Sequence, residues 1–265
     1  MNQASTNPLA VVTGASSGIG YHLAQCCAAE GFNLVIASDE AAIETAANQL
    51  RRYGTTVETV QADLAARDGV DKLVSALRGR YIWALMANAG HGLGGGFLDQ
   101  EFGDIQHVIN TNISGTLYLL HRLGRTMRAQ GSGRILITGS IAGFQPGTFA
   151  AVYNASKAFV DSFAAALRNE LQDSGISVSC LLPGVTDTHF FERAAMLDTK
   201  LAADPNKADP AEVARAGFDA MMNEKADVVV GLKNKLEVAV MKVLPSSIAA
   251  SQHRKKAEPG GAKTK

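Results

Sequence analysis

Short apolar runs that are typical of buried strands alternate with longer segments of helical periodicity from residue 9 onward. Seven such runs are spaced along the chain, at residues 9–13, 34–37, 56–61, 82–87, 134–138, 177–182 and 227–230. Strands that alternate with helices usually pair in parallel, because each helix carries the chain back to the same end of the sheet. The pattern therefore predicts an α/β fold, a doubly wound parallel sheet of about seven strands flanked by helices on both faces.

Helical periodicity fills the intervals between these runs. It predicts helices at residues 19–30, 40–53, 69–77, 102–130, 153–173 and 210–223. Four of them are followed directly by a residue that commonly ends a helix: Gly31, Gly54, Gly131 and Gly175. Residues 186–209 break the regular pattern just after a strand, where an open α/β sheet places a substrate lid. A plain connecting helix is the alternative for this segment.

Size and charge limit what the chain can be. With 265 residues, of which 46% are hydrophobic, residues 1–265 are expected to form a single domain with one substantial core. The 25 basic and 25 acidic side chains cancel, so no overall field favours nucleic acid or an anionic membrane, and neither is expected as a partner. The basic cluster at residues 253–256 lies in a segment, about 251–265, that predicts a solvated, mobile tail.

The cysteines and the N-terminus indicate a cytoplasmic protein. Cys26, Cys27 and Cys180 have no spacing suited to zinc or to a disulfide framework, and no metal site is predicted. The first residues lack the basic and apolar regions of a signal peptide. No apolar run approaches the roughly 20 residues that span a bilayer.

A glycine-rich segment, Thr13-Gly-Ala-Ser-Ser-Gly-Ile-Gly20, follows the first strand and leads into a helix. Glycines allow a tight turn and close approach to a pyrophosphate, and the positive end of the following helix favours that anion. The spacing differs from the commonest dinucleotide fingerprint, so this segment alone is weak evidence. Asp63 and the segment Asn88-Ala-Gly90 add support, because each follows a strand at the edge where such sheets bind ligands.

Tyr153 and Lys157 stand four residues apart at the start of a predicted helix, and Ser140 ends the preceding strand. The i,i+4 spacing places the lysine one turn beyond the tyrosine on the same face. A nearby cation lowers the pKa of a phenol, which lets a tyrosine act as a general acid or base. The pair alone is also compatible with two ordinary surface residues.

Together these motifs resemble the short-chain dehydrogenase/reductase family (SDR), in its compact single-domain branch, over about residues 8–231. The resemblance implies a Rossmann-type NAD(P)-binding domain and an oxidoreductase acting on a ketone or secondary alcohol. It further implies that the catalytic residues are Asn112, Ser140, Tyr153 and Lys157. Ser140 and Tyr153 would bind the substrate oxygen, Lys157 would lower the tyrosine pKa and hold the nicotinamide ribose, and Asn112 would bind a relay water. One departure is Ala87, where the family more often has asparagine.

The same resemblance implies a set of cofactor-binding residues along the carboxyl edge of the sheet. These are Gly14, Ser16, Ser17, Gly18, Ile19, Gly20, Ser38, Asp39, Asp63, Leu64, Asn88, Ala89, Gly90, Tyr153, Lys157, Pro183, Gly184, Val185, Thr186 and Thr188. At the end of the second strand the chain offers Asp39, where enzymes that use NADP usually place an arginine. A carboxylate repels the 2′-phosphate and can bind ribose hydroxyls, so NAD(H) is favoured over NADP(H). The alternative is an Asp39 that points to solvent, because Ser38 holds the usual NAD-selecting position.

Candidate substrate-pocket residues follow motifs at the same edge. They are His91, Leu93, Phe144, Gln145, Phe149, His189, Phe190 and Phe191, and they suggest an apolar or mixed pocket for a small-molecule ketone or alcohol. The family resemblance also implies a homodimer or homotetramer built on helices 102–130 and 153–173.

Two other functions stay open from the residues alone. A noncatalytic dinucleotide-binding protein could use the same fold to sense redox state or to bind a partner, because fold does not determine function. The set Asn112, Ser140, Tyr153 and Lys157 argues against it. Epimerisation or dehydration of a nucleotide sugar is the other alternative, although such relatives are generally longer and have a different glycine spacing.

Overall fold

A computed structural model describes residues 7–263, with the side chain of Lys263 excluded. Its seven strands form one parallel sheet in the order β3-β2-β1-β4-β5-β6-β7. This confirms the predicted doubly wound sheet. The strands are β1 Leu9–Thr13, β2 Asn33–Ser38, β3 Val57–Gln61, β4 Ala84–Ala87, β5 Gly133–Thr138, β6 Ile176–Leu182 and β7 Asp227–Val229.

Ten α-helices are present in the described part of the chain. They are α1 Gly18–Ala29, α2 Ile43–Leu50, α3 Arg67–Ala76, α4 Phe102–Ile109, α5 Thr116–Gln130, α6 Ala151–Glu170, α7 Phe190–Arg193, α8 Pro210–Met222, α9 Leu232–Met241 and α10 Ser246–Ala257. Within residues 7–263 no helix has the length and apolarity required to cross a bilayer.

The sheet separates two hydrophobic layers, because successive strand residues face opposite sides. Val11 and Leu85 contribute to one layer, whereas Val12 and Met86 contribute to the other. Both faces of β1 and β4 are therefore buried, which explains why the strands read as continuous apolar runs rather than as alternating ones.

Three predicted helices differ from those observed. The helix expected from residue 40 begins at Ile43, because the backbone N–H of Glu40 donates to the Ser38 hydroxyl in a turn. The helix expected from residue 69 begins at Arg67 and contains Gly69. The long helix at residues 102–130 is interrupted by a π-helical turn, Asn110–Gly115, between α4 and α5.

The C-terminal part differs most from expectation. Helix α10 includes residues 251–257, which the composition had assigned to a mobile tail. His253 is buried, its Nδ1 lies 2.8 Å from the Thr148 carbonyl oxygen, and Thr148 Oγ1 donates to the Ala250 carbonyl at 3.0 Å. The mobile-tail expectation is therefore wrong for residues 251–257, because buried contacts that the local composition does not reveal hold this helix in place.

Candidate active site

The glycine-rich loop between β1 and α1 forms a close backbone turn. Gly14 and Gly18 have positive φ angles of 65° and 55°, which L side chains rarely adopt. A Cβ at Gly20 would lie 2.1 Å from the Gly14 carbonyl oxygen, so no larger residue fits there. The loop therefore has the tight glycine backbone at the N-terminus of α1 that is typical of a phosphate-binding turn, and the Thr188 side chain lies beside Gly18.

Side chains from three neighbouring strands brace this loop. Asn88 donates from Nδ2 to the Thr13 carbonyl at 3.1 Å, and its Oδ1 accepts from the Thr138 hydroxyl at 3.0 Å. The Thr13 hydroxyl also accepts from the backbone N–H groups of Asn88 and Ala89, each at 3.0 Å. Asn88 thus connects the ends of β1, β4 and β5 and makes the carboxyl edge of the sheet rigid.

The end of β2 carries an acidic cluster. Asp39 is exposed and lines the cavity, and the Ser38 hydroxyl lies 3.2 Å from its Oδ1. Glu40 accepts from the Ser16 hydroxyl at 2.7 Å and forms an ion pair with Arg193, which follows Glu192 at the end of α7. Arg193 is a cation beside the predicted ribose site that the sequence analysis missed.

Ser140, Tyr153 and Lys157 line one cavity, although they come from different elements of the fold. Ser140 lies two residues beyond Thr138, the last residue of β5, and Tyr153 and Lys157 lie in the first turns of α6. The Lys157 Nζ donates to the Thr138 carbonyl at 2.8 Å. The same cavity includes the glycines of the phosphate loop, so the sequence-predicted catalytic and phosphate-loop residues share one site.

The pKa of Tyr153 differs from the sequence-based expectation. Desolvation raises it from 10.0 to about 12, and the Ser140 side chain, which interacts with the phenol, lowers it only in part. Lys157, whose own pKa is lowered by burial, directs its ammonium to Thr138. Lys157 therefore does not lower the tyrosine pKa in this structure, and Tyr153 holds its proton at neutral pH.

Asn112 lies behind the cavity wall rather than on it. This buried residue in the π-helical turn accepts from the His91 N–H at 2.7 Å, and it donates to the His91 carbonyl and to the Ser156 hydroxyl, each at 2.9 Å. A Cβ at Gly90 would lie 3.4 Å from both Asn112 Oδ1 and Lys157 Nζ. Asn112 is thus near the lysine and fixes the loop that follows β4.

The segment at residues 186–209, expected to be a lid, packs against Tyr153. The Phe190 ring centroid lies 5.0 Å from that of Tyr153. A Cβ at Gly92 would lie 2.4 Å from the Phe190 ring, and one at Gly94 would lie 2.3 Å from Met196. The glycines after His91 therefore allow the loop to contact this segment closely.

The cavity has a volume of about 620 Å³ and is lined by most of the residues predicted to bind cofactor or substrate. His91, Gln145, His189, Phe190 and Phe191 are among them. Ser16, Asn112 and Leu93 do not line it. Phe144 and Phe149 do not line it either, because their rings contact the C-terminal cations Lys242 and Arg254 at 5.3 and 5.1 Å.

Sequence reasoning missed Asp161, a largely buried carboxylate next to the site. Its Oδ1 accepts from the backbone N–H of Ser140 at 3.2 Å, and its Oδ2 has no hydrogen-bond partner in the described part of the protein. Burial raises its pKa from 3.8 to about 7, while Lys157 and the Ser140 N–H lower it. The spacing of Tyr153, Lys157 and Asp161, four residues apart each, was the available signal, because it puts all three on one helix face.

The cavity also takes residues from parts of the chain that no motif identified. His107 comes from α4, and its ring centroid lies 4.9 Å from that of His91. Glu237 and Lys256 come from α9 and α10 and form an ion pair at 3.0 Å. These residues are distant in sequence, so only the packing of the helices brings them to the site.

Comparison with known proteins agrees with this geometry. A family model described as short chain dehydrogenase matches residues 8–196. The "Uncharacterized oxidoreductase YmfI" of Bacillus subtilis is 32% identical over 232 residues, which cover 85% of this chain and 95% of that protein.

Solved structures with the same fold include two complexes with nicotinamide cofactors. A short-chain dehydrogenase from Sphingobium yanoikuyae with NADPH has a TM-score of 0.79 and 29% identity, covering 90% of this chain and 96% of that one. A Burkholderia phymatum SDR with NAD has a TM-score of 0.80 and 26% identity, covering 88% and 92%.

A third structure is an alcohol dehydrogenase from Comamonas testosteroni described as specific for bulky-bulky ketones. Its TM-score is 0.75 at 27% identity, and the alignment covers 94% of this chain and 99% of that one. The family model spans β1 to β6, whose carboxyl ends carry the site. The chain belongs to the short-chain dehydrogenase/reductase family of oxidoreductases.

Proposed function

We propose that this protein is an NAD(P)-dependent oxidoreductase that interconverts a ketone and a secondary alcohol, with Tyr153 as the general acid and base. One observation carries the proposal: Ser140, Tyr153 and Lys157 line the same cavity as the glycine turn that precedes α1. A binding-only protein has no need for a buried phenol and ammonium beside a nucleotide-binding turn. The cavity can thus hold a dinucleotide and a substrate side by side.

The residues present fit a nicotinamide dinucleotide. The glycine turn offers backbone N–H groups where a Cβ would collide with the chain, and Asp39 and Asp63 line the part of the cavity expected to hold the adenosine. Pro183, Gly184, Thr186 and Thr188 would border the nicotinamide. When bound, the cofactor supplies or accepts the hydride.

The chain's own residues would handle the substrate oxygen and its proton. Ser140 would donate a hydrogen bond to that oxygen and hold it against Tyr153, whose phenol would give a proton to a ketone or accept one from an alcohol. Lys157 would hold the ribose, and a water bound at Asn112 would link the lysine to solvent, so that the proton of the phenol can be restored. Because Phe190 packs on Tyr153, we expect bulk water to be kept away from this proton transfer.

We propose NAD as the preferred cofactor. Asp39 and Glu40 give the end of β2 a negative charge that opposes a 2′-phosphate, and the ion pair with Glu40 occupies Arg193. The known structures similar to this chain include complexes with NADPH or NADP as well as one with NAD, so they support the cofactor class.

The substrate is proposed to be a largely apolar ketone or secondary alcohol. Phe190, Phe191 and Met196 supply an apolar wall, whereas His91, His189 and Gln145 offer polar contacts. The likeness to a dehydrogenase described as acting on bulky ketones supports this substrate class.

The decisive experiment replaces Tyr153 with Phe and follows absorbance of the reduced nicotinamide with a panel of ketones and alcohols. Tyr153→Phe keeps the ring and removes the acidic proton, so turnover should fall by a factor on the order of 10² or more. Binding of the cofactor, measured by its fluorescence, should persist. Tyr21→Phe, a tyrosine outside the cavity, is the matched control and should retain wild-type turnover.

Near-normal turnover of Tyr153→Phe would contradict the assigned acid and base. Cofactor binding by the wild-type protein without turnover on any member of a broad panel would favour the noncatalytic dinucleotide-binding protein instead.

We also propose a homodimer or homotetramer built on the helices at residues 102–130 and 153–173. On α6, Ala155, Ala158, Ala165 and Ala166 are exposed beside the exposed ring of Phe159, and burial within the subunit accounts only for Ala164. Small exposed residues allow close helix packing between subunits. Light scattering tests this assembly.

A reducing, cytoplasmic location also stays a prediction, and the three cysteines are buried free thiols.

A further inference from the structure

Helix α9 presents an apolar stripe to solvent. Leu232 is 84% exposed, Leu236 is 67% exposed, and Val243, in the turn that continues the helix, is 82% exposed. Val240 adds to the same face, because residues four apart lie one above another along a helix. The opposite face is buried through Val238 and Met241, so the helix is fixed on the protein body.

Lysines border this stripe on both sides. With 3.6 residues per turn, Lys233 lies along one edge, and Lys235 and Lys242 lie along the other. All three are exposed. Lys233 and Lys235 form no ion pair with any other residue between positions 7 and 262. An apolar stripe between lysines that can extend toward phosphate groups is the pattern of a helix that lies in a membrane interface.

The charge of the chain is concentrated in this region. Residues 232–265 contain eight lysines or arginines and two glutamates, a net charge of +6. The remaining residues contain 17 basic and 23 acidic side chains, a net charge of −6, so the overall neutrality conceals a basic end. The net charge of the whole chain, taken alone, predicts no membrane partner.

We propose that the outward face of α9 binds the surface of an anionic lipid bilayer. The exposed Leu and Val side chains would enter the boundary between headgroups and acyl chains, and the flanking lysines would meet lipid phosphates. The helix would lie in the plane of the surface as a peripheral attachment.

The charge pattern favours an anionic surface over a second copy of the chain. A twofold interface brings the same patch of both subunits together, so the patch that contains Lys233, Lys235 and Lys242 would face an equally basic patch. Like charges at such an interface oppose association, whereas phosphate headgroups neutralise them.

The cavity opens beside this face. Leu232 and Lys233 line the cavity while Leu232 is largely exposed, so they lie at its mouth. A bilayer in contact with α9 would therefore be adjacent to the entrance. Binding to the bilayer does not depend on the proposed chemistry and is testable without turnover.

The test is flotation of the full-length protein with vesicles of phosphatidylcholine alone or of phosphatidylcholine with phosphatidylglycerol. We expect binding to the anionic vesicles at low salt and its loss at high salt. The double variant Lys235→Gln, Lys242→Gln and the double variant Leu236→Ser, Val243→Ser should each weaken binding on the order of tenfold. None of these four residues lines the cavity.

Matched controls use exposed residues elsewhere: Arg52→Gln after α2 with Lys225→Gln before β7, and Leu98→Ser in the loop before α4. These should bind vesicles like the wild type. Absence of wild-type binding to anionic vesicles, or equal binding to both vesicle types, would overturn the proposal. So would self-association that the Leu236→Ser, Val243→Ser variant abolishes while vesicle binding is unaffected, because the stripe would then join two copies.

Discussion

The Asp161 carboxylate accepts a hydrogen bond from the backbone N–H of Ser140 at 3.2 Å. A Cβ at Gly139 would lie 1.9 Å from Asp161 Oδ1, and one at Gly143 would lie 2.3 Å from Oδ2. The turn that carries Ser140 is therefore wrapped around this side chain. Asp161 does not line the cavity, so any effect on the substrate oxygen would act through the position of Ser140.

Replacing Asp161 with Asn should change how stability depends on pH. The pKa of this carboxyl is about 7 in the folded protein against an ordinary value of 3.8, so the folded state holds the proton more tightly. Its stabilising contribution is complete below the unfolded pKa and is lost as pH rises through about 7. The free energy of unfolding of Asp161→Asn, measured by thermal unfolding, should thus change less as pH rises through about 7 than that of the wild type. The difference should be a few kcal/mol at most.

Asp173→Asn, an exposed aspartate beyond α6, is the control and should follow the wild-type profile. Identical pH profiles for Asp161→Asn and the wild type would show that Asp161 ionises in the folded protein as it does in the unfolded chain.

The raised pKa of Tyr153 predicts different pH dependence for the two directions of the reaction. At neutral pH the phenol keeps its proton, because its pKa is about 12, and can serve as an acid in ketone reduction. Alcohol oxidation needs the phenolate, whose fraction rises tenfold per pH unit below the pKa. Initial rates from about pH 7 to about pH 9 should therefore rise for oxidation and not for reduction. A flat oxidation profile would mean that the bound complex lowers the tyrosine pKa.

Asp39→Arg should shift cofactor preference toward NADP. Asp39 lines the cavity at the end of β2, and an arginine there could pair with a 2′-phosphate. The ratio of kcat/KM for NADP to that for NAD should rise by on the order of tenfold or more. Glu40→Gln, which frees Arg193 from its ion pair, should shift the ratio in the same direction but less. An unchanged ratio in Asp39→Arg would show that Asp39 does not contact the ribose.

Gly92→Ala should disturb the contact between the loop after β4 and the segment at residues 186–209. The added Cβ would lie 2.4 Å from the Phe190 ring, which packs against Tyr153, so Phe190 must move. We expect kcat/KM to fall on the order of tenfold and unfolding free energy to fall by about 1–3 kcal/mol. Gly124→Ala, in an open part of α5, should keep full activity and gain up to about 1 kcal/mol. Wild-type kcat/KM in Gly92→Ala would mean that the position of Phe190 does not matter.

The sheet, and the edge of it that carries the candidate site, could be predicted from the order of residues alone. The apolar runs become strands because both faces of the sheet are buried, and Gly14, Ser140 and Asn88 come together because parallel strands end at one edge. The i,i+4 spacing similarly placed Tyr153 and Lys157 on one face of α6. These features depend on local periodicity and on the direction of the chain, both of which can be read from the order of residues.

The orientation of the side chains and their surroundings depend on the folded structure and do not follow from the local sequence. In the folded protein, Lys157 donates a hydrogen bond to the Thr138 carbonyl, and Asn112 lies behind the cavity wall. Glu40 forms an ion pair with Arg193, and His253 is buried in a C-terminal helix. These contacts join residues far apart in sequence, and the pKa of Tyr153 likewise depends on its burial in the folded chain. Desolvation and long-range packing are properties of the assembled fold, so no local pattern specifies them.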